Sequence, residues 1–282
     1  MGLGTLAHTV GKLPLKELTA KLGEYPIDFV QLALSKAISD IDTGTGRLSP
    51  GLANYIAEHF DRQGIRIGVL GCYINPVHPD PDKRRGEIER FKEHLRLARD
   101  FGTSIVATET GSFDTFRDQD PERYLEIGWS VLKETVEELA EEAERWGVSI
   151  GLEPVCVHTL STADKLKQLM EEIPSSTIGV VLDPCNLLDQ HNFEEREEVV
   201  RHSLQTLGDR MVLAHLKDVV YREDGRPDVV KPGDGAFNIS GFLDKLNEHK
   251  PHIDISIEGL EPHNISESIN YLKSLMPKNV IK

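Results

Sequence analysis

Cysteine is scarce. The 282-residue chain has three, Cys72, Cys156 and Cys185, far apart and with no C-x-x-C spacing. That excludes a disulfide framework and a thiolate zinc site, and it suits a reducing cytosol. Positive charge is in short supply too: 32 lysines and arginines stand against 47 acids, for a formal net charge of -15. Such a balance argues against a surface that must hold nucleic-acid phosphates or anionic lipid. The densest basic cluster, Lys83-Arg84-Arg85, has Glu87 and Glu89 close behind it and reads as a solvated helix start. No apolar run is long enough to span a membrane. The opening MGLGTLA has neither the basic region nor the apolar core of a signal peptide, so a cytoplasmic protein is expected. Leu6 stands where N-myristoylation needs Ser or Thr. The Asn-Ile-Ser sequons at Asn238 and Asn264 carry little meaning in a cytosolic chain. No repeat, low-complexity stretch or long linker divides the sequence, and residues 1–282 are read as a single domain.

What is present is a regular alternation. Hydrophobic residues make up 39% of the chain, enough for a large core. Short apolar runs occur at Gly2–Thr9, Asp28–Leu34, Arg66–Ile74, Ser104–Thr110, Val148–Glu153, the IGVVLD stretch to Asp183, MVLAHLKDVV and DISIEGL. Between and after them lie helical patterns at Pro14–Gly23, Leu52–Gln63, Asp82–Phe101, Pro121–Trp146, the stretch after Thr162, Phe193–Leu207, Ile239–Leu246 and Ser266–Leu275. Strand–helix alternation eight times over predicts an α/β fold, a single (β/α)8 barrel. A doubly wound open sheet is the alternative, but the first turn lacks the G-x-G-x-x-G phosphate loop that it would use.

In such a barrel the carboxyl ends of the strands share one face. The tips here are His8, Tyr73 and Asn75, Glu109, Glu153, Asp183, His215 and Glu258. A carboxylate ending a buried strand is costly unless it is paired or bound to metal. Four consecutive strands deliver Glu, Asp, His and Glu, a ligand set of oxygen and imidazole without sulfur. It suits one divalent ion, Mn²⁺, Co²⁺, Mg²⁺ or Zn²⁺, and the three carboxylates favour the harder ions.

The ordered pattern GLEP, LDPCN, AHLKD, PGDG and SIEGL resembles the sugar phosphate isomerase/epimerase superfamily of xylose isomerase-like TIM barrels. That group includes ketose 3-epimerases, inosose isomerases and dehydratases, and endonuclease IV relatives. The likeness covers essentially the whole chain. It implies Glu153, Asp183, His215 and Glu258 as metal ligands, with Glu153 and Glu258 doubling as the acid/base pair. The expected activity is isomerisation or epimerisation of a sugar, keto-sugar or cyclitol through a metal-stabilised enediolate. A lyase acting by decarboxylation, dehydration or 3-keto-glycoside cleavage would use the same site and stays open. A nuclease would need further metal-binding histidines and a basic DNA face. A non-catalytic sugar-binding role is the remaining alternative.

Expected substrate contacts are His8, Tyr73, His78, Glu109, His158, Asn186 and Lys217. Asn186 completes D-x-x-N where many relatives have D-x-x-H, so an amide stands in for the usual imidazole. An arginine often follows the metal histidine in the epimerases; here only Arg222 and Arg226 are available, in the loop YREDGRPD. Trp129 and Trp146 are read as packing residues, and His191, His202, His252 and His263 as surface or loop histidines. No phosphate cradle is legible. The partner is a small carbohydrate, and family barrels commonly pair, so a homo-oligomer is expected.

Overall fold

In the computed structural model, residues 1–111, 121–222 and 227–276 are described, with side chains of the segment after 120 described from residue 127. Parallel strands β1 (Leu3–Leu6), β2 (Phe29–Leu32), β3 (Arg66–Gly71), β4 (Ile105–Glu109), β5 (Ser149–Glu153), β6 (Ile178–Leu182) and β7 (Met211–Leu216) form most of a barrel. The hairpin strands β8 (Asp218–Tyr221) and β9 (Pro227–Val230) stand outside it, and β10 (Ile255–Ile257) closes it against β1. Thr5 pairs with both Val30 and Ile257, so the first strand is where the sheet joins itself.

Nine α-helices are described: α1 (Leu15–Leu22), α2 (Leu34–Ala37), α3 (Pro50–Asp61), α4 (Pro81–Leu97), α5 (Pro121–Trp146), α6 (Ala163–Glu172), α7 (Arg196–Leu207), α8 (Ile239–His249) and α9 (Ile265–Leu275). Their starts are written locally. Ser49 caps α3 through its bond from Leu52 N–H and Asp80 caps α4, each followed by a proline that suits the first helical position. Gly147 directly follows α5 with φ +61°, a left-handed stop that other residues adopt only under strain.

The core has two parts. A large one fills the space between the barrel and its helices, and a small one, Phe29, Val69, Ala107, Val181 and Leu213, plugs the barrel interior. Side chains alternate along a strand, so residues two positions further along face the same way. From the plug, those residues are Gln31, Gly71, Glu109, Asp183 and His215. The apolar plug therefore fixes the floor on which the polar mouth is built.

The alternation survives, with local corrections. The first run gives strand only over Leu3–Leu6 and then a 3-10 turn, Ala7–Val10, carrying His8. The third ends at Gly71, which leaves Tyr73 just beyond it. The eighth is only Ile255–Ile257, and α2 has no counterpart in the sequence reading. MVLAHLKDVV is not one strand. It breaks at Lys217, after which β8 turns away to pair antiparallel with β9, Val219 opposite Val229. The cause is Asp218. Its buried carboxylate accepts N–H groups from Val219, Gly233, Gly235 and Phe237, tying the PGDG loop to the strand end. A Cβ at Gly235 would lie 2.1 Å from Asp218 Oδ1, so only glycine allows that approach.

Candidate metal and catalytic centre

Glu153 is the last residue of β5, Asp183 follows β6, His215 lies within β7 and Glu258 follows β10. Their convergence comes from the ladder: Glu109 pairs with Glu153, His215 with Ser256, and Glu258 N–H donates to Leu216 O. Glu153, Asp183 and His215 each present a ligand atom within 4.8 Å of the others. His215 Nδ1 lies 3.2 Å from Glu153 Oε1 and 3.1 Å from Glu258 Oε1. Asp183 Oδ1 accepts from Cys185 N–H at 2.9 Å, while its buried Oδ2 has no hydrogen-bond donor.

Beside His215, one ammonium and one side-chain amide hold these acids. Lys217 Nζ stands 3.0 Å from Asp183 Oδ2, an ion pair without hydrogen-bond geometry, and 3.4 Å from Glu258 Oε2. It also donates to Asn186 Oδ1 at 2.6 Å, and Asn186 Nδ2 donates to Glu153 Oε1 at 2.7 Å. Asn186 thus spends both ends of its amide inside the cluster.

Gln31 was not singled out from sequence. It sits on β2, buried at 1% exposure, with Oε1 2.9 Å from His215 Nε2 and Nε2 donating to Tyr73 OH at 2.9 Å. With its amide N–H₂ turned to Tyr73, the carbonyl oxygen faces the imidazole, and Nε2 must carry the hydrogen. That leaves Nδ1 turned toward the acids as the ligand nitrogen. The available signal was a lone polar residue inside the apolar run FVQLAL, two positions past a buried Phe.

Burial costs the charged form of each group, and the neighbours decide the outcome. His215 is pulled down by burial, but the carboxylates of Glu153 and Glu258 outweigh this and hold it up at about 9. Burial lifts Lys217's preference for neutrality, and Asp183 with Glu258 reverses it, so the ammonium is held above its ordinary range. Burial raises Glu153 above the usual carboxylate range. Glu258 feels burial as well, but His215 and Lys217 bring it below that range.

The other expected residues surround this cluster unevenly. Burial lowers His8, as does Lys36, and burial lowers His158; the Nδ1 atoms of both are buried without a hydrogen-bond partner. Glu109 is half-exposed, 3.7 Å from His158 Nε2, and burial followed by the charge of Glu258 raises it. Tyr73 touches Gln31 and carries the Lys36 ammonium 4.0 Å above its ring. His78 Nδ1 accepts from Asp80 N–H at 3.1 Å, which spends that nitrogen on the turn before α4. Arg222 pairs with Asp228 across the hairpin, and Arg226 lies outside the described residues. Trp146 is 46% exposed and donates to Glu142, a departure from the packing role expected of it, whereas Trp129 does lie against the core. His191, His202, His252 and His263 are exposed as expected.

The comparisons with known proteins come to the same architecture. Residues 17–275 match the model of the xylose isomerase-like TIM barrel family. An uncharacterised protein of Methanocaldococcus jannaschii is 26% identical over 238 residues, 83% of this chain and 78% of that one. Among solved structures, D-psicose 3-epimerase from Clostridium cellulolyticum H10 with D-tagatose superposes with a TM-score of 0.75 at 15% identity, covering 98% of this chain and 99% of that one. The IolI protein with a bound zinc atom gives a TM-score of 0.71 at 20% identity, covering 98% and 96%. Among the described residues no helix is long and apolar enough to cross a membrane.

Proposed function

Since the chain belongs to the xylose isomerase-like TIM barrel family, we propose that its acidic mouth is the catalytic centre of a metal-dependent isomerase or epimerase for a small sugar, keto-sugar or cyclitol. The donor set fits a divalent ion: buried oxygens and one imidazole with its tautomer fixed, no sulfur, and an Asp183 oxygen met by the Lys217 ammonium. Glu153, Asp183, His215 and Glu258 would hold it. An ion bound there supplies Lewis-acid polarisation of the substrate carbonyl and adjacent hydroxyl.

The observation that carries the reading is the unequal glutamate pair. Glu153 and Glu258 flank one imidazole nitrogen at nearly equal distance, yet Glu153 is met by the Asn186 amide and Glu258 by the Lys217 ammonium. Two carboxyls set beside one imidazole, one held by an amide and one by an ammonium, provide the acid and base that moving a proton at a carbon next to a carbonyl requires. Asn186 keeps Glu153 in place, and Lys217 fixes Glu258 through its ammonium. His8 and His158 are the imidazoles placed to meet substrate hydroxyls, and the half-exposed Glu109, 3.7 Å from His158 Nε2, offers a third contact.

The test is deuterium uptake in D₂O, followed by NMR, over a panel of ketoses, inososes and 3-keto-glycosides. Metal-dependent exchange beside the carbonyl should fall by about 10²–10⁴ in Glu258→Gln, and the products separate isomerisation from the lyase outcome. No exchange by the metal-loaded protein across the panel would refute the proton-transfer reading.

A further inference from the structure

Lys217 follows His215 by two positions, just past the end of β7, so both side chains leave the chain in the same direction. The side chain is buried, and its ammonium stands among the candidate ligands, 3.0 Å from Asp183 Oδ2 and 3.4 Å from Glu258 Oε2. Asn186 Oδ1 accepts a third contact at 2.6 Å. An ammonium has three N–H donors, and each of these oxygen neighbours belongs to the acid cluster or to the amide that holds Glu153.

Glu258 is divided between two partners. It turns Oε1 to His215 Nδ1 at 3.1 Å and Oε2 to Lys217 Nζ. The carboxylate thus spans imidazole and ammonium as a bridging carboxylate spans the ions of a two-metal site, which stand about 3.5–4 Å apart. Asp183, which belongs to the same ligand group, is the second acid that Lys217 shares. Buried, set against shared carboxylates and beside an amide oxygen, the ammonium has the surroundings that a second divalent ion would need.

Charge leads to the same place. Glu153, Asp183 and Glu258 carry three negative charges, Lys217 returns one, and a neutral ligating His215 adds none. The two negative charges left over are answered by one divalent ion, and a second would leave the buried cluster with surplus positive charge. Among the described residues no other group of three His, Cys, Asp or Glu side chains has metal-ligand spacing, so a second ion would have to share these acids.

We propose that Lys217 is a resident cation in the place of a second metal ion and confines the centre to a single divalent ion. It is a positioning residue. Its ammonium neutralises the acids and fixes Glu258, but with no vacant coordination site it cannot take a substrate oxygen as a Lewis acid. The inference rests on the metal site of the proposed function and is independent of which sugar is turned over.

Metal content after gel filtration from Mn²⁺, together with EPR, reads the ion count without turnover. The native protein should hold about one ion per chain and give the spectrum of isolated ions. Lys217→Met should hold about two and give the broadened spectrum of closely coupled ions, whereas Lys217→Arg should stay at about one. Because loss of the ammonium destabilises the metal-free chain, the variants are purified with Mn²⁺ present. Lys217→Gln, which keeps an N–H donor for Asn186, repeats the measurement with a second neutral side chain. Coupled ions in the native protein overturn the inference, and so does a single ion in both neutral variants; the latter result leaves the metal site standing. No bound ion in the native protein removes the metal site and this inference together.

Discussion

Strands β5, β6, β7 and β10 bring Glu153, Asp183, His215 and Glu258 to the mouth, whereas β1, β2 and β3 bring His8, Gln31 and Tyr73, with Lys36 on α2 after β2. Among the described residues, β4 places a carboxylate on that second side, Glu109, and it is half-exposed rather than buried in the cluster. One half of the rim therefore concentrates buried acids, and the other is neutral or cationic apart from the half-exposed Glu109. The acid half could not be buried by itself. Three carboxylates gathered in one pocket repel one another, and here His215 and Lys217, rooted in the same half, offset that repulsion. The neutral half contributes orientation instead of charge, through one amide that sets which nitrogen of His215 faces the acids.

The largest effect that should separate these roles comes from Lys217→Met. With its ammonium gone, Asp183 and Glu258 lose a buried counter-charge, and metal-free stability should fall by about 3–5 kcal/mol in urea denaturation. Saturating divalent metal should restore much of the loss. Unchanged stability would mean that His215 alone suffices to hold the acids.

On the opposite half, Gln31→Leu removes no charge, yet metal affinity should drop about 10–100-fold, because His215 loses the acceptor that fixes its tautomer. Competition with a chelating dye measures this directly. Wild-type affinity in that variant would erase the division of labour between the two halves.

The smallest effect is in pH. Glu153 and Glu258 hold His215 at about 9 against the pull of burial, so below that pH the imidazole is protonated and must lose its proton to ligate. Affinity for the ion should rise with pH by about tenfold per unit between roughly pH 7 and 9, then level off. Calorimetry in buffers of different ionisation enthalpy should count about one proton released at pH 7. Zero release would show that the acid half exerts less hold on His215 than its distances imply.

The acid half was legible because its logic is local. Each apolar run that ends in Glu or Asp declares a buried strand with a charge at its tip, and three such tips with one histidine among them can be read without coordinates. The neutral half was legible only in part. His8 and Tyr73 were expected near the mouth, but Gln31 lay inside an apolar run, where one amide looks like an exception rather than a hinge of the site. Its meaning depends on Tyr73, 42 positions away, and His215, 184 positions away. The break of MVLAHLKDVV at Lys217 was hidden for a similar reason. Nothing in the apolar pattern ends the strand there; the carboxylate of Asp218 does, by gathering N–H groups from as far along the chain as Phe237.

The sequence by itself determined the alternation of strands and helices, the barrel, and the acids placed at successive strand ends. These follow from periodicity and from the cost of burying charge, both of which act within a few residues. Tertiary structure decided which group answers which. Lys217 sits against Asp183 and Glu258, Asn186 spans Glu153 and Lys217, and Gln31 selects the nitrogen of His215. Hydrogen bonds and ion pairs depend on ångström separations between atoms, and only closure of the barrel brings residues from distant parts of the chain within that range.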